Sequence, residues 1–212
     1  MMLTRMNAPM DSYVQPSIWL DYDHPLIQQT LHQLVPVGSD EIRTIEVLYT
    51  FVRDKIQHSY DAQLNQVTIS ASDTLSEGHG ICYAKSHLLA AMLRACAIPS
   101  GLCYQRLTLY ETAESGFCIH ALNTVYIKQL DTWIRLDARG NKPGVDARFS
   151  LETEHLAFPV RQDIGEVDYD VNFSEPHPII IETLMAHTHS IRMYERHLPD
   201  SLPLPESILP KK

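Results

Sequence analysis

A domain mixing α and β structure is predicted by three stretches of the chain. Residues 83–96, from Tyr83 to Cys96, form an apolar run too long and too even for a strand, and it reads as a buried helix. Residues 117–127 and 132–137 are rich in β-branched and aromatic side chains and are joined by the polar link Lys128-Gln129-Leu130-Asp131, the pattern of a β-hairpin. Upstream, Ile42, Ile45, Leu48, Val52 and Ile56 make an apolar stripe at helical spacing.

Taken in order, the elements begin with an extended N-terminal segment. Asp23-His24-Pro25 then caps a short helix over about 26–35, with proline at a tolerated early position, and Pro36-Val37-Gly38 ends it. Ser39 opens the second helix, with Asp40 and Glu41 in its first turn. From Asp61 to His79 the chain is polar and reads as an irregular loop that delivers Cys82 to the start of the buried helix. A strand is expected over 102–109 before the hairpin. Residues 140–178, with scattered Pro, Gly and acidic residues, read as loops and short elements around the core, followed by one last helix over about 179–195. The Pro-rich segment 198–212 reads as an extended or disordered tail, so the expected organisation is a single domain over 1–197 and then the tail.

Gly80-Ile81-Cys82 sits at the foot of the buried helix. The free N–H groups and positive dipole end of a helix stabilise a thiolate, the form of cysteine that attacks carbonyls. In the hairpin, a loop over 128–131 pairs Ile127 with Thr132, which sets Leu122 opposite Asp137 and His120 opposite Arg139. His120 and Asp137 then share one face as diagonal neighbours, because side chains alternate with a period of two. An imidazole oriented by a carboxylate and facing a thiol at a helix start is an arrangement for acyl transfer.

With these residues in order the chain resembles the transglutaminase-like superfamily of papain-fold thiol enzymes, as a small member of the bacterial type. The resemblance covers about residues 39–141. It rests on Gly80-Ile81-Cys82, on the helix-ending segment Ala97-Ile98-Pro99-Ser100, on His120-Ala121-Leu122 and on Asp137-Ala138-Arg139. Two departures are visible: Leu122 stands where the family has Trp, and Ala138-Arg139 where it has Pro-Thr. The resemblance implies an α+β fold with a papain-like core, a central Cys-bearing helix packed on an antiparallel sheet. It also implies a Cys82-His120-Asp137 triad that cleaves an amide through a thioester acyl-enzyme. The acceptor is either water, giving a cysteine peptidase or amidase, or a primary amine, giving a transglutaminase. Hydrolysis is the expectation, because Leu122 offers no indole wall to shield a thioester from water. A non-catalytic binding module that keeps the fold is the alternative outside enzymes. The backbone N–H of Cys82 is one oxyanion donor on this reading, and the second is open.

Composition narrows the partners. A 212-residue chain with 44% hydrophobic residues can bury a sizeable core. With 17 Lys and Arg against 26 Asp and Glu, the net charge of −9 and the lack of a basic run disfavour nucleic acid and anionic membranes as partners. Residues 1–13 lack the apolar core of a signal peptide and no stretch reaches transmembrane length, so the expectation is a soluble cytoplasmic protein acting on a peptide or protein amide. Cys96 and Cys103 read as small core residues, while Cys118 lies on the face of His120 and is the alternative thiol or a redox partner. His79 reads as a solvated loop residue and His187-Thr188-His189 as a poor metal pair, and no cofactor or metal is expected.

Overall fold

The computed structural model describes residues 5–110 and 112–204. Six helices surround or face one antiparallel sheet: α1 (Pro25–Leu34), α2 (Glu41–Lys55), α3 (Ala71–Glu77), α4 (Cys82–Ala95), α5 (Pro178–Met185) and α6 (Ser190–Arg196). Short strands β1 (Arg5–Met6) and β8 (Val171–Asn172) pair in parallel, as do β2 (Gln57–His58) and β3 (His79–Gly80). The main sheet is built from β4 (Ser100–Thr108), β5 (Phe117–Ile127), β6 (Thr132–Leu136) and β7 (Val167–Asp168), in the spatial order β6-β5-β4-β7. This is the α+β class predicted, with α4 touching α2 and α3 as well as strands β4 and β5.

α4 is buried from Cys82 to Arg94 without interruption, the condition under which a helix apolar all round is stable. Its polar side chains are each given partners. Lys85 Nζ donates to the carbonyls of Arg53 and Ile56 at the end of α2, where a cation suits the negative end of a helix. Burial pushes the Lys85 amine down to about 7, with Arg139 adding to the effect. His87 Nδ1 meets the Ile69 carbonyl at 2.8 Å, and Arg94 donates to the carbonyls of Gln15, Ser100 and Ser174.

The hairpin register is the one the loop length predicts, running from Ile127↔Thr132 to Asn123↔Leu136. The link itself is a 3₁₀ turn over Lys128–Leu130, and Asp131 closes it in the left-handed region at φ 47°. Two segments differ from expectation. The stretch 61–79 is not wholly irregular, because α3 sits in it behind a capping box: Ser70 Oγ accepts from the Asp73 N–H, and the Asp73 carboxylate accepts from the Ser70 N–H. The expected helix over 179–195 is two, broken at 186–189, where the Ser190 N–H donates to the Asn65 carbonyl at 2.6 Å and turns α6 back toward the site.

The tail is extended but docked over 198–204. Pro199 O accepts from the Ile119 N–H at 2.9 Å, Leu202 N–H donates to Tyr169 Oη at 3.0 Å, and Leu202 is buried. Pro205 and Pro210 lie outside the described residues.

Gly101 in β4 is a close-approach position. A Cβ there would stand 1.9 Å from Asn172 Oδ1 and 2.7 Å from Thr124 Oγ1, two atoms that bond each other at 2.7 Å. Gly101→Ala is therefore expected to break the Thr124–Asn172 contact and cost about 1–3 kcal/mol. That corresponds to a melting point lower by roughly 2–12 °C in a chain of this size. Thermal unfolding followed by circular dichroism checks it, and an unchanged midpoint would show that the sheet yields freely there.

Candidate active site

The site starts from how β3 enters α4. A Cβ on Gly80 would lie 2.9 Å from both Ala84 Cβ and Thr68 Oγ1, so only glycine lets the strand run this closely into the helix. Thr68 Oγ1 donates to the His79 carbonyl at 3.1 Å and fixes the same corner. Ile81 is the N-cap, and no side chain caps the first turn that Cys82 begins. The thiol thus stands at the positive end of a buried 14-residue helix whose leading N–H groups are not taken by a cap.

His120 comes from the part of β5 beyond its pairing with β6, and Asp137 from the residue after β6 ends. His120 Nε2–H donates to Asp137 Oδ2 at 2.8 Å. The same oxygen accepts from the Ala157 N–H at 3.0 Å, and Oδ1 accepts from the Arg139 N–H at 3.1 Å. Asp137 is wholly buried and His120 nearly so. The other ring nitrogen is left for the Cys82 side, and Cys82 lies near enough to the ring to favour its charged form. Phe158 meets the His120 ring edge-to-face, with centroids 5.4 Å apart, and the Arg139 guanidinium lies over the Phe158 ring at 5.6 Å. The three residues singled out in the sequence are thus brought into one chain of contacts.

Electrostatics favour a charged ring. Burial works against it, but the Asp137 carboxylate and Cys82 outweigh burial and push His120 up to about 10. Burial likewise works against the Asp137 carboxylate, yet the His120 charge and the three hydrogen bonds hold it below the ordinary range.

Cys82 and His120 open onto a cavity of about 600 Å³. Its walls include Leu107, Leu109, Ile119, Val145, Phe158 and Tyr194, with Arg139, Lys142 and Arg161 among the charged groups. Cys118 lines it too, beside His120 as the strand alternation predicts, but burial and the nearby Cys82 push its thiol up to about 12. His79 is not the solvated loop residue expected. It is buried in β3, bonded to Ser59 Oγ at 2.9 Å, and does not line the cavity. His187, in the link before α6, stacks on His197 just past the end of that helix, and among the described residues no group of three or more His, Cys, Asp or Glu could hold a metal ion.

Several neighbours escape a reading of the sequence. Asp61 accepts from both Arg139 and Lys142, Phe158 buttresses the histidine, and Tyr194 reaches the cavity from α6. Only Arg139 carried a signal, as the departure beside Asp137. Phe158 lies in an irregular stretch with no period to reveal its direction, and Tyr194 is aimed by the break before α6.

A thiol at the start of a buried helix, facing a sheet-borne histidine backed by a carboxylate, defines a cysteine-enzyme fold of the papain-like kind. The family model of the transglutaminase-like superfamily matches residues 28–138, just over half of the chain, and the chain belongs to that superfamily. Among solved structures it is similar to a candidate cysteine protease from Cytophaga hutchinsonii, at 20% identity and a TM-score of 0.45, over 65% of this chain and 46% of that one. It is also similar to a candidate protease from Parabacteroides distasonis, at 13% identity and a TM-score of 0.38, over 59% of this chain and 25% of that one. The match thus spans less than half the length of either. No curated protein sequence matches significantly. Among the described residues no helix is long and apolar enough to cross a membrane.

Proposed function

We propose that this protein is a thiol-dependent amide or peptide bond hydrolase. The observation that carries the reading is the buried His120–Asp137 pair at 2.8 Å, with Cys82 and the His120 ring together on the wall of one open cavity. On this reading the Cys82 thiolate attacks the amide carbonyl, and a tetrahedral oxyanion forms against the uncapped N–H groups that lead α4. His120, as imidazolium, gives its proton to the departing amine, which leaves a thioester on Cys82. The ring then takes a proton from water as water attacks the thioester, releasing the acid and restoring the thiolate–imidazolium pair. Asp137 holds Nε2–H and thereby turns Nδ1 toward the sulfur.

Water is favoured over an amine by the walls of the cavity. A transferase must shield the thioester from water at roughly 55 M, which calls for a dry channel beside the sulfur. Leu122, at the position of the family Trp, is fully buried and absent from the cavity wall, and Trp133, Tyr104 and Tyr126 do not line it either. The aromatic residues that do reach it are Tyr110, Phe158 and Tyr194. The test offers the protein a library of glutamine-containing peptides with and without a labelled primary amine, with products identified by mass spectrometry. Cleaved or deamidated peptides without amine incorporation are expected. Efficient incorporation that vanishes in Cys82→Ala would make the chain a transglutaminase instead.

A further inference from the structure

The cavity beside Cys82 differs in charge from the molecule around it. The chain carries a net −9, yet the walls hold Arg139, Lys142 and Arg161 against one carboxylate, Glu166. Glu166 is matched by Arg161, whose Nη2 lies 2.8 Å away. Arg139 and Lys142 share a single carboxylate. Asp61 Oδ2 lies 2.7 Å from Arg139 Nη1, and Asp61 Oδ1 lies 2.9 Å from Lys142 Nζ. With Asp61 counted, one positive charge is in excess at this corner. His58, the remaining titratable ring on Asp61 at 3.7 Å, does not add to it, because burial first and Arg139 second keep it neutral.

The two cations differ in freedom. Arg139 is buried and held by Asp61, Phe158 and its own strand-end turn. The Lys142 side chain is 42% exposed on the cavity wall, a mobile point charge that can serve Asp61 and an incoming anion together. Arg139 satisfies most of Asp61, so Lys142 is the group whose charge remains for a ligand.

We propose that the cleaved amide carries an anionic group, in a peptide a carboxylate, that docks on Lys142 at the wall of the cavity. This rests on Cys82 being the reactive thiol. The carboxylate replaces part of the water around Lys142 Nζ and leaves the Arg139–Asp61 pair intact. A cationic cavity wall in an acidic protein also gathers anionic substrates and disperses cationic ones, an effect that salt screens.

Two alkylating reagents that differ in charge test the idea on the whole protein. Iodoacetate is anionic and iodoacetamide neutral, and in both the sulfur attacks the same kind of methylene carbon as its bond to iodide breaks. The ratio of their rates at Cys82, read by peptide mapping and compared with 2-mercaptoethanol, is expected to favour iodoacetate and to fall as salt is raised. Part of that preference comes from the His120 ring, so the decisive comparison is with variants of Lys142. Lys142→Gln should lower the ratio about 3- to 10-fold while the iodoacetamide rate stays within twofold, and Lys142→Arg should restore it. A ratio unchanged in Lys142→Gln, with Cys82 still reactive, overturns the anion site and leaves the thiol reading standing. A Cys82 inert to both reagents overturns both.

Discussion

Asp137→Asn is expected to lower kcat by about 10³–10⁴-fold on any amide the protein cleaves, the size such a change has in a Ser-His-Asp triad. The reason is visible in how the carboxylate is used. Its two oxygens accept three N–H groups, from His120, Ala157 and Arg139, and have no room for a donor. Asparagine supplies one oxygen. Kept toward His120 and Ala157, it leaves its NH₂ against the Arg139 N–H; turned the other way, it sets two donors against the ring and Ala157. Either choice leaves a buried group without its partner, at about 1–3 kcal/mol. The chemical loss is larger. Without the carboxylate, burial dominates at His120 and drives the ring toward the neutral form, so the proton for the leaving amine is missing.

The pH dependence separates that role from a merely structural one. His120 is raised in the folded state, so its charged ring contributes stability in full below its ordinary 6.5 and loses it as pH rises through about 10. Asp137 is lowered, so its share is present above 3.8 and lost as pH falls through its folded value. In Asp137→Asn the upper limb should move well below 10 in both melting point and Cys82 alkylation rate. A variant with unchanged kcat and an unmoved limb would mean that the carboxylate only closes the strand end.

The hairpin shows how far local rules reach. A four-residue link fixed the pairing of Ile127 with Thr132, and the period of two then carried His120 and Asp137 to one face, where they bond. α4 was equally legible, since an unbroken apolar run has one stable setting in a globular protein. What was hidden had no period. α3 announces itself only by Ser70 and Asp73, a capping signal set in polar sequence that hides a seven-residue helix. The break before α6 depends on Asn65, more than a hundred residues away, accepting the Ser190 N–H. Asp61, Lys142, Phe158 and Tyr194 reach the site from loops and from that displaced helix, and their directions are set by tertiary contacts that no spacing encodes. The nucleophile, base and orienting carboxylate proposed were therefore readable, while the walls that would choose a substrate were not.

A single thiol should take iodoacetamide at neutral pH, and it should be Cys82. All four cysteines are free. Burial pushes up Cys96 and Cys103, and Cys118 stands at about 12, where roughly one molecule in 10⁵ is thiolate at pH 7. Only Cys82 combines the cavity wall, the leading turn of a long helix and a nearby imidazole that its charge helps to keep protonated. Its labelling is expected to outrun that of each of the other three by about 10²-fold or more, as read by peptide mapping after limited reaction. Cys82→Ala should then abolish the fast label and lower turnover by about 10⁶-fold, to background, since no other thiol stands at the head of α4 to replace it. Its melting point should stay within a few degrees of the parent, because the substitution removes one sulfur beside a cavity already open to water. Fast labelling of Cys118 in place of Cys82 would move the nucleophile to β5. Turnover that survives in Cys82→Ala would end the thiol mechanism, and a Cys82 that is neither labelled nor needed would leave the fold as a binding module with its groove intact.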